Sequence, residues 1–177
     1  MVKRQEGFTL IELLIVVAII GIVAAIATPG LLRARMSANE SSMIGSLRSV
    51  NSGQSTYAAS CANGGYAQDL ADLAKVPPGS AVAFISPDLS PNGVTKSGYS
   101  ISLGVGTVPT VITVAAATCN GAATDAVATY FAEAHPLGGG TTGQRSFGTD
   151  QRATIFQDRS GATFTAAAVA AAVVPID

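Results

Sequence analysis

FTLIELLIVVAIIGIVAAIATPGLL, which runs from Phe8 to Leu32, is the most apolar part of this 177-residue chain. Its last 20 residues, Leu13 to Leu32, contain no charged side chain. Because an α-helix rises 1.5 Å per residue, a helix of that length covers a hydrocarbon core of about 30 Å. The segment is therefore predicted to span a membrane, and the sequence holds no second segment of this kind.

A short polar leader, MVKRQEG at residues 1–7, precedes the apolar stretch. An ordinary secretory signal places its apolar stretch before the cleavage site, so that the stretch is removed. Here the apolar stretch follows Gly7 directly. A cut between Gly7 and Phe8 would leave the hydrophobic helix on the mature chain, which indicates a helix that is kept for use.

Glu12 is the one charged residue within this stretch. A carboxylate at the centre of a spanning helix costs roughly 2.5–3.5 kcal/mol, and less near a helix end, where the side chain can reach the interface. One interpretation is a glutamate that simply reaches water. The other is a glutamate paired with the α-amino group that a cut would create on Phe8, in the same helix or in a neighbouring copy. Such a pair can fix the register between bundled helices.

The hexapeptide GFTLIE at Gly7–Glu12, with the basic leader and the apolar stretch, resembles the class III signal of type IV prepilins and type II secretion pseudopilins. The resemblance covers residues 3–35, about a fifth of the chain. It implies cleavage between Gly7 and Phe8 by a membrane aspartic peptidase, and N-methylation of Phe8 by the same enzyme. It places Glu12 at the family's assembly glutamate and Pro29 at its helix-breaking proline.

Two further features of the apolar stretch suit a helix bundle. Small residues recur along it, and two pairs, Gly21 with Ala25 and Ala24 with Thr28, have the spacing that lets helix backbones approach closely. Abundant alanine in a membrane helix explains the same pattern. Pro29 followed by Gly30 is predicted to interrupt the helix, since proline costs roughly 3 kcal/mol in a helix interior. We expect a kink in lipid and an unwound turn before Pro29 in a filament.

The rest of the chain predicts an α+β, pilin-like fold. An apolar stripe continues the helix to about residue 58, while Glu40 and the arginines lie largely off it. The stripe consists of Leu32, Met36, Met43, Leu47, Val50 and Tyr57. Residues 8–32 are thus predicted to form a transmembrane and assembly helix, and residues 33–177 a head in which the helix packs on an antiparallel sheet.

Apolar stretches separated by turn residues follow the helix and predict the elements of the head. QDLADLAK at 68–75 is predicted to be a short helix, and residues 77–98 a loop with a weak strand at 81–85. Five further strand segments are predicted, enough for an antiparallel sheet of about four strands, with a hairpin around Asp150–Arg152. The segments are 99–105, 110–115, 127–132, 145–149 and 153–157. The Ala- and Val-rich tail, 165–174, is equally compatible with a strand and a short helix.

Cys61 and Cys119 are the two cysteines. They either form a disulfide or remain as buried thiols, and the export that the N-terminal segment indicates favours the disulfide. Chain entropy assigns a loop of this length roughly 4 kcal/mol of stabilisation. The sequence contains no CxxC motif and no Cys/His cluster, so a zinc site is not predicted. The net charge of −1 makes nucleic acid an improbable partner.

Little in the head indicates catalysis. His135 is the single histidine and is predicted to be structural. GGGTTG at 138–143 lacks the Lys-Ser/Thr ending of a phosphate loop and is predicted to be a surface loop. Four aspartates are candidate calcium ligands, but their spacing fits no EF-hand, and we read them as capping or solvated carboxylates. They are Asp88, Asp125, Asp150 and Asp158. We expect no enzyme activity, cofactor or metal.

The resemblance implies a structural pilin of a surface filament, used for adhesion, motility, DNA uptake or electron transfer. The alternatives are a pseudopilin of a type II secretion system and a membrane-anchored binding or enzymatic domain. Positive charge does not orient the helix, with two basic residues on each side. The resemblance implies a single-pass inner-membrane protein with a cytoplasmic N-terminus, later an extracellular filament. Its partners would be copies of itself through the N-terminal helices, the prepilin peptidase and methyltransferase, and an inner-membrane assembly platform.

Overall fold

The fold was analysed in a computed structural model that describes residues 7–171, 175 and 176. The chain divides into two compact units, Met1–Arg35 and Met36–Asp177. Two short 3-10 turns lie at Pro87–Leu89 and Ala115–Ala117. The helices are α1 (Leu10–Ser60), α2 (Leu70–Ala74) and α3 (Ala166–Ala171), and the strands are β1 (Val94–Lys96), β2 (Tyr99–Val105), β3 (Val111–Thr113), β4 (Ala126–Val127), β5 (Tyr130–Pro136), β6 (Ser146–Asp150) and β7 (Ile155–Asp158).

The second unit is built on a five-stranded sheet in the order β1-β2-β5-β6-β7, in which every pair of neighbours is antiparallel. β3 and β4 form a separate two-stranded sheet. One face of the larger sheet, the inner face, packs on residues 36–60 of α1. A long N-terminal helix packed on an antiparallel sheet confirms the predicted α+β, pilin-like fold class.

The core between α1 and the inner face contains most of the predicted apolar stripe. Met43, Leu47, Val50 and Tyr57 are fully buried there, while Met36 is half-buried. They pack with the inner-face residues of β2, β5 and β6, which are Tyr99, Ile101, Leu103, Ala132, Ala134 and Phe147. Burial of these side chains removes apolar surface from water, the main favourable term in folding.

The prediction that Glu40 lies off the buried face is wrong. Glu40 is buried and is bound by Arg145, the residue before β6. Two more polar residues of α1, Asn51 and Gln54, are also buried. Each is hydrogen-bonded, as burial requires: Tyr130 Oη donates to Asn51 Oδ1 at 2.9 Å, and the Gln54 amide exchanges two bonds with the Ala67 backbone.

The hairpin predicted around Asp150–Arg152 is confirmed as the β6–β7 turn, and strands at 99–105 and 111–113 also form. The strand predicted at 127–132 is instead divided. Residues 128 and 129 pass from the small sheet to the large one, with the Ala128 N–H bonded to the Thr110 carbonyl. The weak strand predicted at 81–85 is wrong, because the Phe84 and Ile85 N–H groups bond to the Leu73 carbonyl.

A second layer covers the opposite, outer face of the sheet. Phe156 of β7, Phe164 and Val169 of α3 form a small apolar cluster there, packed against Phe131 of β5. The tail is therefore helical over Ala166–Ala171, and Pro175 forms an isolated antiparallel bridge with Phe156. Residues 172–174 of the predicted tail lie outside the described residues.

Candidate processing and assembly segment

The peptide bond predicted to be cut lies just before α1. Gly7, Phe8 and Thr9 are outside the helix, which begins at Leu10. Phe8 is 91% exposed, and among the described residues no atom outside its chain neighbours lies within 4 Å of a Cβ built on Gly7. A peptidase needs an accessible substrate, and exposed residues on both sides of the Gly7–Phe8 bond meet that condition.

Thr9 and Glu12 form a reciprocal cap at the start of α1. The Thr9 N–H and hydroxyl donate to Glu12 Oε2 at 2.8 and 2.6 Å, and the Glu12 N–H donates to Thr9 Oγ1 at 3.3 Å. This is a capping box, in which the first residues of a helix satisfy each other's free donors. Sequence reasoning missed it, although the Thr-x-x-Glu spacing is a recognised signature of a helix start.

The capping box gives Glu12 a hydrogen-bonding partner but no positive charge. Among the described residues, Thr9 supplies every hydrogen bond that Glu12 accepts, and no cation lies within ion-pair distance. Within the described residues, the carboxylate is therefore positioned by the helix start with no cation beside it. An amine that approached it would complete the ion pair.

From Leu10 to Leu32, α1 presents apolar side chains on all sides. The isoleucines, leucines and valines of this part are exposed, with Leu10 at 77% and Ile26 at 75%. Within the described part of the chain, α1 is the one helix long and apolar enough to cross a membrane. A helix that is hydrophobic all round needs an apolar environment, which lipid or other copies of the helix can provide.

Pro29 and Gly30 lie inside α1, so in the single chain the helix continues through the position where the sequence predicts an interruption. Proline lacks the N–H that would bond to the Ala25 carbonyl. One residue earlier, the Thr28 hydroxyl donates to the Ala24 carbonyl at 2.7 Å. The single lost bond is outweighed by the remaining bonds of a 51-residue helix. The unwound turn predicted for a filament stays a prediction.

Cys61 and Cys119 form a disulfide just past the end of α1. The Cys119 N–H also donates to the Cys61 carbonyl at 3.1 Å. Nearby, the side chain of Asn120 donates to the carbonyls of Asp72 and Lys75, next to α2. The disulfide thus ties α1 to the segment that precedes β4, and these contacts hold α2 beside it.

The four aspartates considered as calcium ligands are scattered and occupied by other contacts. Asp88 pairs with Lys96, and Asp150 pairs with Arg152. Asp125 accepts the Ala115 N–H, and Asp158 accepts from Ser160. Within residues 7–171 and 175–176, no three His, Cys, Asp or Glu side chains come together as a metal site. The single histidine, His135, lies on β5 next to Glu133.

Comparison with known proteins identifies the N-terminal segment. Residues 2–28 match the family described as the prokaryotic N-terminal methylation motif. The chain carries the N-terminal segment of the type IV pilin family. It is 60% identical over 38 residues to the type IV wide pilus major component PilA4 of Thermus thermophilus, 22% of this chain and 29% of that protein. It is 44% identical over 54 residues to the type IV major pilin protein PilA of Myxococcus xanthus, 30% of this chain and 24% of that one.

A third relative, a fimbrial protein of Pseudomonas aeruginosa, is 82% identical over 27 residues, 15% of this chain and 18% of that protein. The chain thus spans less than a third of the length of the curated relatives it matches. No solved structure matches it. The pilin segment contains Gly7, Phe8 and Glu12, whereas the head of residues 36–177 is described by its structure alone.

Proposed function

We propose that this protein is a structural pilin, a subunit of a type IV pilus-like filament that assembles through its N-terminal helix after its leader is removed. The observation that carries the proposal is the arrangement at the start of α1. One family-matched segment combines three features. The Gly7–Phe8 bond is exposed, Glu12 is positioned by Thr9 with no cation beside it among the described residues, and the helix that follows is apolar on every side.

The proposed processing step follows from where the helix begins. A membrane peptidase cuts after Gly7 and releases residues 1–7, and the new amino group of Phe8 is then methylated. Phe8 lies one residue before the Thr9 cap, so the amine arises close to the Glu12 carboxylate. A methylated amine stays protonated at neutral pH and supplies the positive charge that Glu12 lacks.

The proposed assembly step exchanges one apolar environment for another. Before assembly, residues 8–32 span the inner membrane, with the N-terminus in the cytoplasm and the head outside. During assembly, at an inner-membrane platform, the same surface packs against other copies. Between apolar helices that leave lipid there is little hydrophobic gain, so close packing at small residues and ion pairing select the register. The pair between Glu12 and the Phe8 amine of a neighbour is the selective contact.

The head contributes a rigid, disulfide-closed body rather than a catalytic centre. Several of its buried polar side chains are engaged in structural bonds, such as Asn51–Tyr130 and Glu40–Arg145. This supports a subunit of a surface filament. The names of the relatives, a pilus component, a major pilin and a fimbrial protein, favour a pilin over the alternative of a type II secretion pseudopilin.

The test is the intact mass of the chain recovered from sheared surface fibres. The expected mass lacks residues 1–7, gains one methyl group and lacks the two hydrogens removed by the Cys61–Cys119 disulfide. As a matched control, Gly7→Leu should keep the leader and yield no fibres, while Gly139→Leu, at an open loop position, should process normally. A full-length mass, or absence of the protein from surface fibres, would refute the proposal.

A further inference from the structure

Glu133, in the middle of β5, is a buried carboxylate on the outer face of the sheet. It is 4% exposed, and its neighbours Ala132 and Ala134 point to the opposite, inner face. Among the described residues its one side-chain partner is His135, two residues along the same strand. His135 Nδ1 lies 3.0 Å from Oε2 and 3.2 Å from Oε1 of Glu133. The imidazole is half-buried, so this pair reaches from the interior to solvent.

Among the described residues, no ionisable group other than His135 lies within ion-pair distance of Glu133. On β2, the residues opposite Glu133 and His135 are Ser102 and Ser100. On β6, the residue opposite is Gly148, and the buried hydroxyl of Ser146 has no hydrogen-bond partner within the described part of the chain. The charged groups farther away on the outer face have other partners or lie in solvent. Asp150 pairs with Arg152, and Asp158 accepts a hydrogen bond from Ser160. Arg159 is exposed, and α3 contains no charged residue.

The C-terminal cover, defined here as residues 161–171, lies against this face. α3 contacts both β5 and β6. A Cβ built on Gly148, directly opposite Glu133, would lie 2.7 Å from Val169 Cγ2 and 3.0 Å from Phe164 Cγ. The cover is held at its far end by Arg152, which donates to the Val169 carbonyl at 2.8 Å. The Glu133 site is therefore adjacent to the segment that closes the outer face.

We propose that Glu133 and His135 form a pH-sensitive latch, which holds the C-terminal cover closed while the pair shares a proton and loosens it when that proton is lost. With one shared proton the pair is neutral, and its burial costs little. Without the proton, the carboxylate is charged, buried and bonded to a neutral ring alone. A buried uncompensated charge is strongly unfavourable, and opening the cover admits the water that solvates it.

The direction of the Glu133 pKa supports this geometry. Burial raises the pKa of Glu133 above its ordinary value of 4.5, and the hydrogen bond and charge of His135 oppose only part of the rise. A raised carboxyl pKa means that the folded state holds the proton more tightly than the unfolded state. The contribution is therefore complete below pH 4.5 and is lost as the pH rises through the folded pKa. The latch is closed at acid pH and loosened at alkaline pH.

The test is hydrogen–deuterium exchange of the full chain in detergent micelles, read on peptides from residues 161–171 at pH 4 and pH 8. Intrinsic exchange speeds up equally with pH in all variants, so proteins are compared at the same pH. At pH 8 the wild type should exchange several-fold faster than Glu133→Gln, which cannot ionise. At pH 4, below the ordinary pKa of the carboxyl, the two should match. Asp158→Asn, which removes an outer-face acid that is not buried, should behave like the wild type.

A Glu133→Gln variant that loses cover protection at pH 8 as the wild type does would overturn the latch. Because His135 is the single histidine of the chain, its imidazole resonances provide a second measurement on the wild type alone. The His135 resonances and the Val169 methyl resonances should change with the same pH midpoint. Different midpoints, or a Val169 methyl that does not respond, would refute the coupling even if the variant failed to fold.

Discussion

Glu40 of α1 and Arg145, the residue before β6, form an ion pair across 105 positions of sequence, with Arg145 Nη2 2.6 Å and Nε 2.9 Å from Glu40 Oε2. The other carboxylate oxygen accepts the backbone N–H groups of Gln144 and Arg145, at 3.0 and 3.3 Å. One side chain on the helix thus binds both the backbone and the guanidinium of the β5–β6 connection. Arg145 also donates to Gln157 of β7 at 2.7 Å, which extends the network across the sheet edge.

Glu40→Gln should destabilise the head, because Gln removes the charge that Arg145 binds and cannot accept the backbone bonds as strongly. The expected loss is about 1–3 kcal/mol, reduced from the value for a fully buried pair since Arg145 is partly exposed. Asp88→Asn is the matched control, because the Asp88–Lys96 pair has the same 2.6 Å distance but lies at the surface. It should cost at most about 1 kcal/mol. Denaturant unfolding of both variants measures the difference, and equal losses would contradict a special role for Glu40.

The same pair predicts how the head responds to acid. Burial alone would raise the pKa of Glu40, but bonds from Arg145 and the Gln144 N–H, with the charge of Arg145, lower it overall below 4.5. A lowered carboxyl pKa stabilises the fold above the ordinary value, and this contribution is lost as the pH falls through the folded pKa. The wild type should therefore lose stability below about pH 4.5 more steeply than Glu40→Gln. Parallel pH profiles of the two proteins would argue against this assignment.

Reduction of the Cys61–Cys119 disulfide should lower the stability of the head by about 2–5 kcal/mol, because the reduced chain regains loop freedom when unfolded. Cys119 is exposed, so a reductant can reach the bond without prior unfolding. The measurement is thermal unfolding with and without reductant. Cys61→Ser/Cys119→Ser serves as the control, since it should melt near the reduced wild type and be insensitive to reductant. An unchanged melting temperature on reduction would show that the loop is held by its other contacts.

Gly148→Ala should loosen the C-terminal cover. The new Cβ would approach Val169 Cγ2 to 2.7 Å, a distance that requires Val169 or the ring of Phe164 to shift. Overpacking of this kind costs about 1–3 kcal/mol. Gly139→Ala, at a loop position with no atom within 4 Å, should be neutral and serves as the control. Hydrogen–deuterium exchange of peptides from residues 161–171 should become faster in Gly148→Ala and stay unchanged in Gly139→Ala. Equal exchange rates in the two variants would contradict the packing of Val169 and Phe164 on Gly148.

The elements with strong local signals were predictable from the sequence. The spacing of apolar residues predicted the helix and its buried stripe from Met43 to Tyr57, and the alternation of apolar and polar residues predicted β2 with its observed bounds, Tyr99–Val105. The unexpected features depend on distant partners. A charged residue such as Glu40 is expected at the surface. Its burial was not predictable, because the residue that compensates its charge, Arg145, lies 105 residues later in the sequence. The strand predicted at 81–85 fails since its donors bond to α2, and local sequence carries no information on such pairings.

At the processing segment, Gly7, Phe8 and Glu12 were recognisable because their signal is local and the family pattern spans it. The capping box is an equally local signal, because it needs only the three-residue spacing between Thr9 and Glu12, but it was not predicted. The pairing of Glu133 with His135 could be suggested only by their i, i+2 positions on a strand. The cover beside this pair is formed by the tail, whose Ala- and Val-rich sequence did not distinguish a strand from a helix.

The capping box makes it possible to separate two roles of Glu12 that one substitution would confuse. Glu12→Ala removes the carboxylate and the cap together. Glu12→Gln keeps an oxygen that accepts the Thr9 N–H, and so preserves the helix start, but it carries no charge. Thr9→Val removes the hydroxyl of the cap, at a cost of about 1 kcal/mol to the helix start, and keeps the charge. These three variants distinguish a capping role from an ion-pairing role in assembly.

If Glu12 acts by pairing with a neighbour's amine, Glu12→Gln should reduce fibre yield as severely as Glu12→Ala, by more than about tenfold, because each leaves an amine unpaired between packed helices. Thr9→Val should still form fibres. All three should show the mature mass in the membrane fraction, since the exposed Gly7–Phe8 bond lies outside the cap. Near-normal fibres from Glu12→Gln would instead assign Glu12 to the helix start, and the ion pair would have to be abandoned as the contact that sets the register.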